Sequence, residues 1–434
     1  MQKTFRPWQV DQTLLLPPSV HDFVPAGHVA HFVRDLVRED LDLSAIVESY
    51  GEARGYPPYD PWMMTSLLLY GYARGVYSSR RLARACEERL DFIAVTALNK
   101  PDFRTVSEFR RRHLSALAGL FEQVLLLCRK AGLVQLGHVA LDGTKMKANA
   151  SKHKAMSYDR MTKSEPELAA EVSGWLAAAE AADAAEDAAF GADKRGDEMP
   201  DWMADKQKRL GKIRAAKAAL EAEAKAQAEE KAKQPKKYRG GRKPKTPPGE
   251  PKPSAQRNFT DPESRIMKAK DGFIQGYNAQ AGVDAGHQVI VAQGVTETAA
   301  DSGQLVPLVD AIKANTGAKP REVSADVGYC SEDNLKALEA RGIRGYIATG
   351  RQKHPEGGEK QRRGPYAQAM RKRLKRGGRR SRYRLRKQVV EPVFGQIKEA
   401  RGFRQFLMRG IDKVRGEWAL ICTVHNILKL QKAT

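Results

Sequence analysis

Three carboxylates in this chain, Asp142, Asp326 and Glu391, have the setting that phosphodiester chemistry requires. Breaking and rejoining such bonds calls for two divalent cations. One activates the attacking oxygen and the other stabilises the leaving 3′ oxygen. Hard oxygen ligands are needed, and octahedral Mg²⁺ keeps several waters, so few protein side chains suffice. The useful signature is therefore carboxylates at the ends of adjacent strands plus one from a later helix. Asp142 ends the apolar run Gly137-His138-Val139-Ala140-Leu141, and Asp326 ends Glu322-Val323-Ser324-Ala325. Glu391 falls later, in Val389-Val390-Glu391-Pro392-Val393-Phe394-Gly395-Gln396-Ile397-Lys398. An Asp in an Asp-Gly pair is most often a turn residue, and Asp284, Asp301 and Glu297 compete for the same role. Spacing favours Asp142 and Asp326, each of which follows a buried run, and fixes Glu391 less firmly.

The elements that must position these groups change character along the chain. Residues 1–135 read as all-helical. Asp60-Pro61 is a helix start, with Asp as cap and Pro at the first helical position. That helix runs through Leu67, Leu68 and Tyr70 to a break near Gly71 to Gly75. Ser78 then caps a helix carrying Arg80, Arg81 and Arg84. The pair fits a helix-turn-helix for DNA and fits a plain helical hairpin with a charged outer face equally well. Thr105-Val106-Ser107-Glu108 has the capping-box pattern for a third helix. Residues 136–155 begin an α/β part in which the Asp142-Gly143 pair is expected to close the first strand. From 156 to 255 the chain departs from it, first into a hairpin of helices rich in Ala, Glu and Lys that breaks at Gly196 to Pro200. A Pro/Gly/Lys linker follows, Gln234 to Pro253, in which Arg239-Gly240-Gly241-Arg242-Lys243-Pro244 weakly resembles a minor-groove arm. Residues 256–430 return to strands at 272–283, 288–292, 322–326 and 345–348, with helices at 302–315 and 331–340. Without the insertion this is the order of a ribonuclease-H-like α/β domain, in which the first and fourth strands lie side by side. Pro392 leaves two settings for Glu391, a helix start where the dipole favours its charge or a continuous helix sharing a face with Lys387 and Lys398.

Charge narrows the partners. The 434 residues carry 75 Lys and Arg against 52 Asp and Glu, a net +23. The excess is concentrated in Arg351–Lys387, with 16 basic and 2 acidic residues, and Lys231–Arg257, with 10 and 1. Such tracts neutralise phosphates and release counterions. Solvated basic tails of the ribosomal kind have the same composition. Within the first tract Arg371, Lys372 and Arg373 are expected phosphate contacts. Its few aromatics and its Gly357-Gly358 and Gly377-Gly378 pairs suit backbone tracking by a mobile segment. No apolar run is long enough for a bilayer, the N-terminus has no signal-peptide pattern, and four scattered cysteines fit a reducing cytoplasm.

Several motifs occur in order: Tyr59-Asp60-Pro61, Leu69-Tyr70-Gly71-Tyr72, Leu141-Asp142-Gly143-Thr144, Gly276-Tyr277-Asn278-Ala279-Gln280, Ala325-Asp326-Val327-Gly328-Tyr329 and Val390-Glu391-Pro392-Val393-Phe394-Gly395. With these the chain resembles bacterial insertion-sequence transposases of the DDE type, its N-terminal part being similar to an InsH-type helical domain. The resemblance covers most of the chain outside 156–255. It implies that Asp142, Asp326 and Glu391 are a metal-binding acidic triad for two Mg²⁺ ions, with Mn²⁺ as substitute. It also implies cleavage of element ends, strand transfer into target DNA, a homodimer bridging the two ends, and a place on the nucleoid. The family's last motif is often Tyr-x2-Arg-x3-Glu-x6-Lys. Glu391 and Lys398 fit it. Lys387 stands at the Arg position and Arg384 at the Tyr position, so phosphate contacts are implied while the base-stacking ring is replaced. A DNA-binding regulator that has lost catalysis, and a nuclease that cuts without joining, are the alternative functions.

Overall fold

The computed structural model describes residues 19–51, 57–190, 201–233, 246–269, 272–350 and 364–433. The minor-groove-like motif at 239–244, the break at 196–200 and the first part of the basic tract, 351–363, lie outside the described residues.

Seven helices precede the first described strand: α1 Val29–Glu39, α2 Ser44–Val47, α3 Pro61–Ala73, α4 Ser79–Glu88, α5 Leu90–Thr96, α6 Phe103–Arg112 and α7 Leu114–Lys130. Asp60 caps α3 as its sequence requires, its Oδ1 accepting from Met63 N at 2.9 Å. Every residue of α3 from Met64 to Tyr72 is buried, because α1, α5 and the C-terminal helix all pack on it. A helix apolar on all sides belongs inside a core. Thr105 does not start a helix. Asp102 Oδ1 accepts from Arg104 N at 2.7 Å, so the cap lies three residues earlier and the Thr105–Glu108 pair sits inside α6.

The sheet is mixed. Its strands are β1 His138–Lys147, β4 Arg265–Ala269, β5 Gly272–Asp284, β6 Ile290–Thr296, β7 Glu322–Ala325 and β8 Arg344–Ile347, while β2 Ala155–Ser157 pairs only with β3 Gln256–Asn258. Pairing runs β5-β1-β7-β8, with β4 and β6 sharing the far edge of β5. β1 is antiparallel to β5 and parallel to β7. The first and fourth strands of the anticipated order thus lie side by side. The helices α10 Leu305–Thr316, α11 Glu332–Ala340, α12 Pro365–Gly377, α13 Leu385–Gly395 and α14 Ile411–Gln431 complete this part. α10 packs on β6, α13 on β1 and α14 on both β6 and α7. One continuous apolar core therefore joins the N-terminal helices to the sheet.

The insertion is two long helices, α8 Tyr158–Phe190 and α9 Asp201–Lys233. They carry small cores of their own, Met156, Met161, Ile213, Ala216 and Leu220 in one and Val172 with Leu210 in the other. The β2–β3 ladder closes its neck, Ala155 facing Asn258. No helix among the described residues is long and apolar enough to cross a membrane.

α14 is tied to the sheet through His425 and Asn426. Asn426 Oδ1 accepts from Ile290 N and its Nδ2 donates to Ile290 O, both at 2.8 Å. His425 sits between Arg401 Nη2, 3.3 Å from its Nδ1, and Gln288 O, 2.9 Å from its Nε2. A guanidinium only donates, so the ring is neutral with its proton on Nε2. Burial, then the Arg401 charge, pushes its pKa down to about 3. A histidine whose folded pKa lies below the unfolded value near 6.5 stabilises the fold fully above that value. That stability is lost as pH falls through 6.5 toward the folded pKa. Urea unfolding should therefore show the chain weaker by about 1 kcal/mol at pH 5.5 than at pH 7 from this group alone. His425→Gln should remove that share of the pH dependence. Equal slopes for the two proteins would refute the assignment.

Candidate active site

Asp142 does not close its strand. β1 continues through Gly143 to Lys147, in register with β5 as Asp142 opposite Ala281 and Gly143 opposite Gln280. The glycine answers a packing need. A Cβ there would stand closer than 3.0 Å to Gln280 Nε2, and at 2.8 and 2.9 Å from Asp301 Oδ1 and Asn278 Oδ1. Asp326 does follow its strand directly. Its side chain caps the next turn, Oδ1 accepting from Gly328 N at 2.8 Å. The parallel register pairs Ala140 with Ser324, and Asp142 and Asp326 each follow that pair by two residues, close enough for the charge of one to act on the other.

Glu391 lies mid-helix, because α13 runs unbroken through Pro392 and continues as a π turn, Gln396–Ala400. The proline leaves the Gln388 carbonyl without its helical donor. Gln288 Nε2, at 3.0 Å, donates to that carbonyl instead. Glu391 therefore sits on a continuous helix with Lys387, while Lys398 falls in the π turn beyond it.

A residue outside the anticipated set joins the carboxylates. Arg386, in the first turn of α13, donates from Nη1 to Asp142 Oδ2 at 2.6 Å and from Nη2 to Glu391 Oε1 at 3.0 Å. Asp142 Oδ1 accepts from Gly143 N at 2.9 Å. Burial pushes the Asp142 carboxyl up to about 7, with Arg386 pulling it down and the charges of Asp326 and Asp301 adding to the rise. Asp142, Glu391 and, at longer range, Asp326 thus all attract one guanidinium.

Asp301, a competitor in sequence, belongs to this cluster. Its Oδ1 accepts from Asn278 Nδ2 at 2.6 Å, Gln280 Nε2 at 2.9 Å and Lys145 Nζ at 3.3 Å. Gln280 in turn accepts from the Tyr329 hydroxyl. A Cβ on Gly328 would meet both Asp326 Oδ1 at 2.9 Å and Asp301 Oδ2 at 3.1 Å, so the two carboxylates face one narrow space. The other competitors do not. Asp284 accepts from Leu136 N and Gly286 N, a loop-closing role, and Glu297 pairs with Arg265.

The basic residues are dispersed. Arg384, just before α13, and Lys387, on it, are exposed, and Lys372 is exposed on α12. Arg373 donates to Gly345 O at 3.1 Å, while Arg371 is half-buried on the same helix. The described part of the 351–387 tract is helical, its Ala367 and Met370 buried, where the glycine pairs suggested a mobile segment. Lys398 points inward. Its Nζ donates to Lys145 O at 2.8 Å, and burial lowers its pKa. Arg80, Arg81 and Arg84 are exposed on α4, Arg84 paired with Glu88 at 2.7 Å.

The donor set fits a divalent cation on three counts. Its oxygens are hard and anionic, a guanidinium stands in as a cation between Asp142 and Glu391, and Gly143 and Gly328 leave space that any Cβ would fill. As arranged, no three acidic, His or Cys groups among the described residues are close enough to hold an ion together.

Sequence reasoning overlooked Arg386, although it lies one residue before the position where the last motif expects an arginine. It also overlooked the Asn278, Gln280 and Tyr329 network, whose residues lie inside motifs that were recognised.

Two family models match the chain: the Transposase DDE domain over residues 222–427 and the Transposase domain (DUF772) over residues 18–112. Asp326 and Glu391 fall inside the first. Asp142 lies between the two matches, separated from the rest of the site by the insertion. No curated protein and no solved structure matches the chain.

Proposed function

The chain is an insertion-sequence transposase of the DDE class, and from that premise we propose that Asp142, Asp326 and Glu391 are its catalytic carboxylates. Transposases of this class act on DNA and generally use divalent metal ions. The observation that carries the reading is Arg386 drawing together Asp142 and Glu391, distant in sequence, beside the strand end that bears Asp326.

We assign a pair of Mg²⁺ ions to these three carboxylates, with Mn²⁺ as substitute. Once bound, the ions would activate the attacking oxygen and stabilise the leaving one. The chain's own groups supply the frame. Asp142 is fixed within a paired strand, Asp326 by the Gly328 amide, and Glu391 by a helix whose proline is accommodated through Gln288. The Asn278–Gln280–Asp301–Tyr329 network ties β5 to the segments that carry Asp301 and Tyr329 and forms the floor beside β1. Arg384 at the entry to α13 and Lys387 on its exposed side, Arg371, Lys372 and Arg373 on α12, and Arg80, Arg81 and Arg84 on α4 are proposed phosphate contacts. Lys398 joins them only if its bond to the Lys145 carbonyl opens. Residues 1–135 would recognise element ends and dimerise, and 156–255 would be peripheral to catalysis.

The test is a strand-transfer assay with the element's own ends, a target duplex and Mg²⁺. Cleaved ends joined to target are the expected products. Cutting without joining would identify a nuclease, and end binding without cutting a regulator.

A further inference from the structure

The position of Arg386 is unusual for a basic residue in a chain so rich in exposed ones. Its side chain is 13% exposed, against 48% for Glu391. Two of its nitrogens are committed to carboxylates, and its Nε is buried without a partner. An orphaned buried donor costs about 1–3 kcal/mol, so this seat is held by charge and not by a complete set of hydrogen bonds. Its hydrogen-bond acceptors among the described residues are two of the three carboxylates assigned to the metal, and Asp326, the third, attracts it as well.

A guanidinium and a divalent cation cannot share that place. An ion bridging Asp142 and Glu391 would sit about 2.0–2.1 Å from their oxygens, within a few Å of a guanidinium that already contacts both, and two positive charges at that range repel strongly in a partly desolvated site. Glu391, being half exposed, can close on Asp142 only when Arg386 withdraws. The neighbouring exposed residues, Arg384 just before its helix and Lys387 on it, mark the side to which it can withdraw and where an anion would receive it.

We propose that Arg386 is a built-in counter-cation. It holds Asp142 and Glu391 in the free protein and leaves for a DNA phosphate when the divalent ion enters, so that DNA and metal each favour the other's binding. This positioning role rests on the carboxylate assignment above. Reciprocity is required: whatever factor DNA adds to metal affinity, metal adds to DNA affinity.

The experiment uses the full-length protein and reads Mn²⁺ binding by electron paramagnetic resonance, with and without a non-cleavable duplex. Wild type should bind Mn²⁺ at least about 5-fold more tightly with the duplex, within the usual range of coupling between sites. Arg386→Gln should bind Mn²⁺ at least about 5-fold more tightly than wild type without DNA, and should lose most of the duplex effect. Arg386→Lys, which keeps the charge, should stay near wild type. A general loosening of the fold would weaken binding in both variants. Unchanged or weaker Mn²⁺ binding by Arg386→Gln, with Asp142→Asn still abolishing it, would overturn the counter-cation while leaving the carboxylate site intact. Mn²⁺ binding that survives Asp142→Asn in both the wild-type and Arg386→Gln backgrounds would remove the carboxylate assignment itself, and this inference with it.

Discussion

Asp142→Asn and Asp326→Asn should each reduce strand cleavage by roughly 10³-fold or more, the several kcal/mol that a metal-held charge contributes, while leaving affinity for element ends within a few-fold. Glu391→Gln should behave alike. Asn and Gln keep the size and most hydrogen bonds of the acids they replace, so the loss isolates charge. At position 142 the amide still accepts from Gly143 N, and losing the Arg386 pair is offset by removing a carboxylate that burial disfavours. Thermal unfolding should therefore move little. The discriminating comparisons are the other carboxylates. Asp284→Asn weakens the loop that closes through Leu136 and Gly286 and should change stability with cleavage nearly intact. Asp301→Asn keeps an oxygen for Asn278 and Gln280 but removes the charge paired with Lys145, so it should lower both stability and rate, though by less than loss of a metal-held charge. Gel-based cleavage assays beside denaturation curves measure all five. If Asp301→Asn abolished cleavage while Asp326→Asn retained it, the triad would have to be redrawn around Asp301.

The parts of this site that were legible in the sequence are those fixed by pattern. Short apolar runs leading into Asp, alternating with helical periodicity, put Asp142 in β1 and Asp326 at the end of its neighbour β7. The change in composition after 156 marked a hairpin that now shows its own small cores. What was illegible depends on contacts between distant residues. Asp142-Gly143 has turn composition, yet the strand runs through it because the glycine makes room for Gln280, Asn278 and Asp301, all more than 130 positions away in the chain. Pro392 looked like a helix boundary until Gln288, a hundred residues earlier, supplied the missing donor to Gln388 O. The Thr105 box lost to Asp102, which a Pro101-Asp102 pair could have suggested. Arg386 was hidden by its company, since one arginine in a tract of basic residues looks solvated until a buried carboxylate is found against it.

Gly143→Ala should be the most damaging substitution in the site that alters no chemical group. The backbone at 143 is ordinary strand, with no left-handed torsion to forbid a side chain, so the whole penalty is steric. The new methyl would press on Gln280, Asn278 and Asp301 together. None can rotate aside cheaply. Gln280 and Asn278 are fully buried, both donate to Asp301, Gln280 also accepts from Tyr329, and its carbonyl accepts from Trp418 Nε1 at 3.0 Å. Relief must come from spreading β1 from β5, which shifts Asp142 relative to Asp326. Overpacking of this kind costs about 1–3 kcal/mol, and a displacement near 1 Å at a reacting group lowers rate by roughly 10²-fold. Gly294→Ala is the control, in β6 of the same sheet with nothing within 4 Å of its added Cβ. There the change should be neutral or stabilising by about 0.4–1 kcal/mol, through the unfolded chain. Urea midpoints for the two variants, read beside their cleavage rates, test the packing argument. Matching midpoints and matching rates would mean that the site tolerates a methyl at 143 and that the Asp-Gly pair serves some purpose other than room for its neighbours.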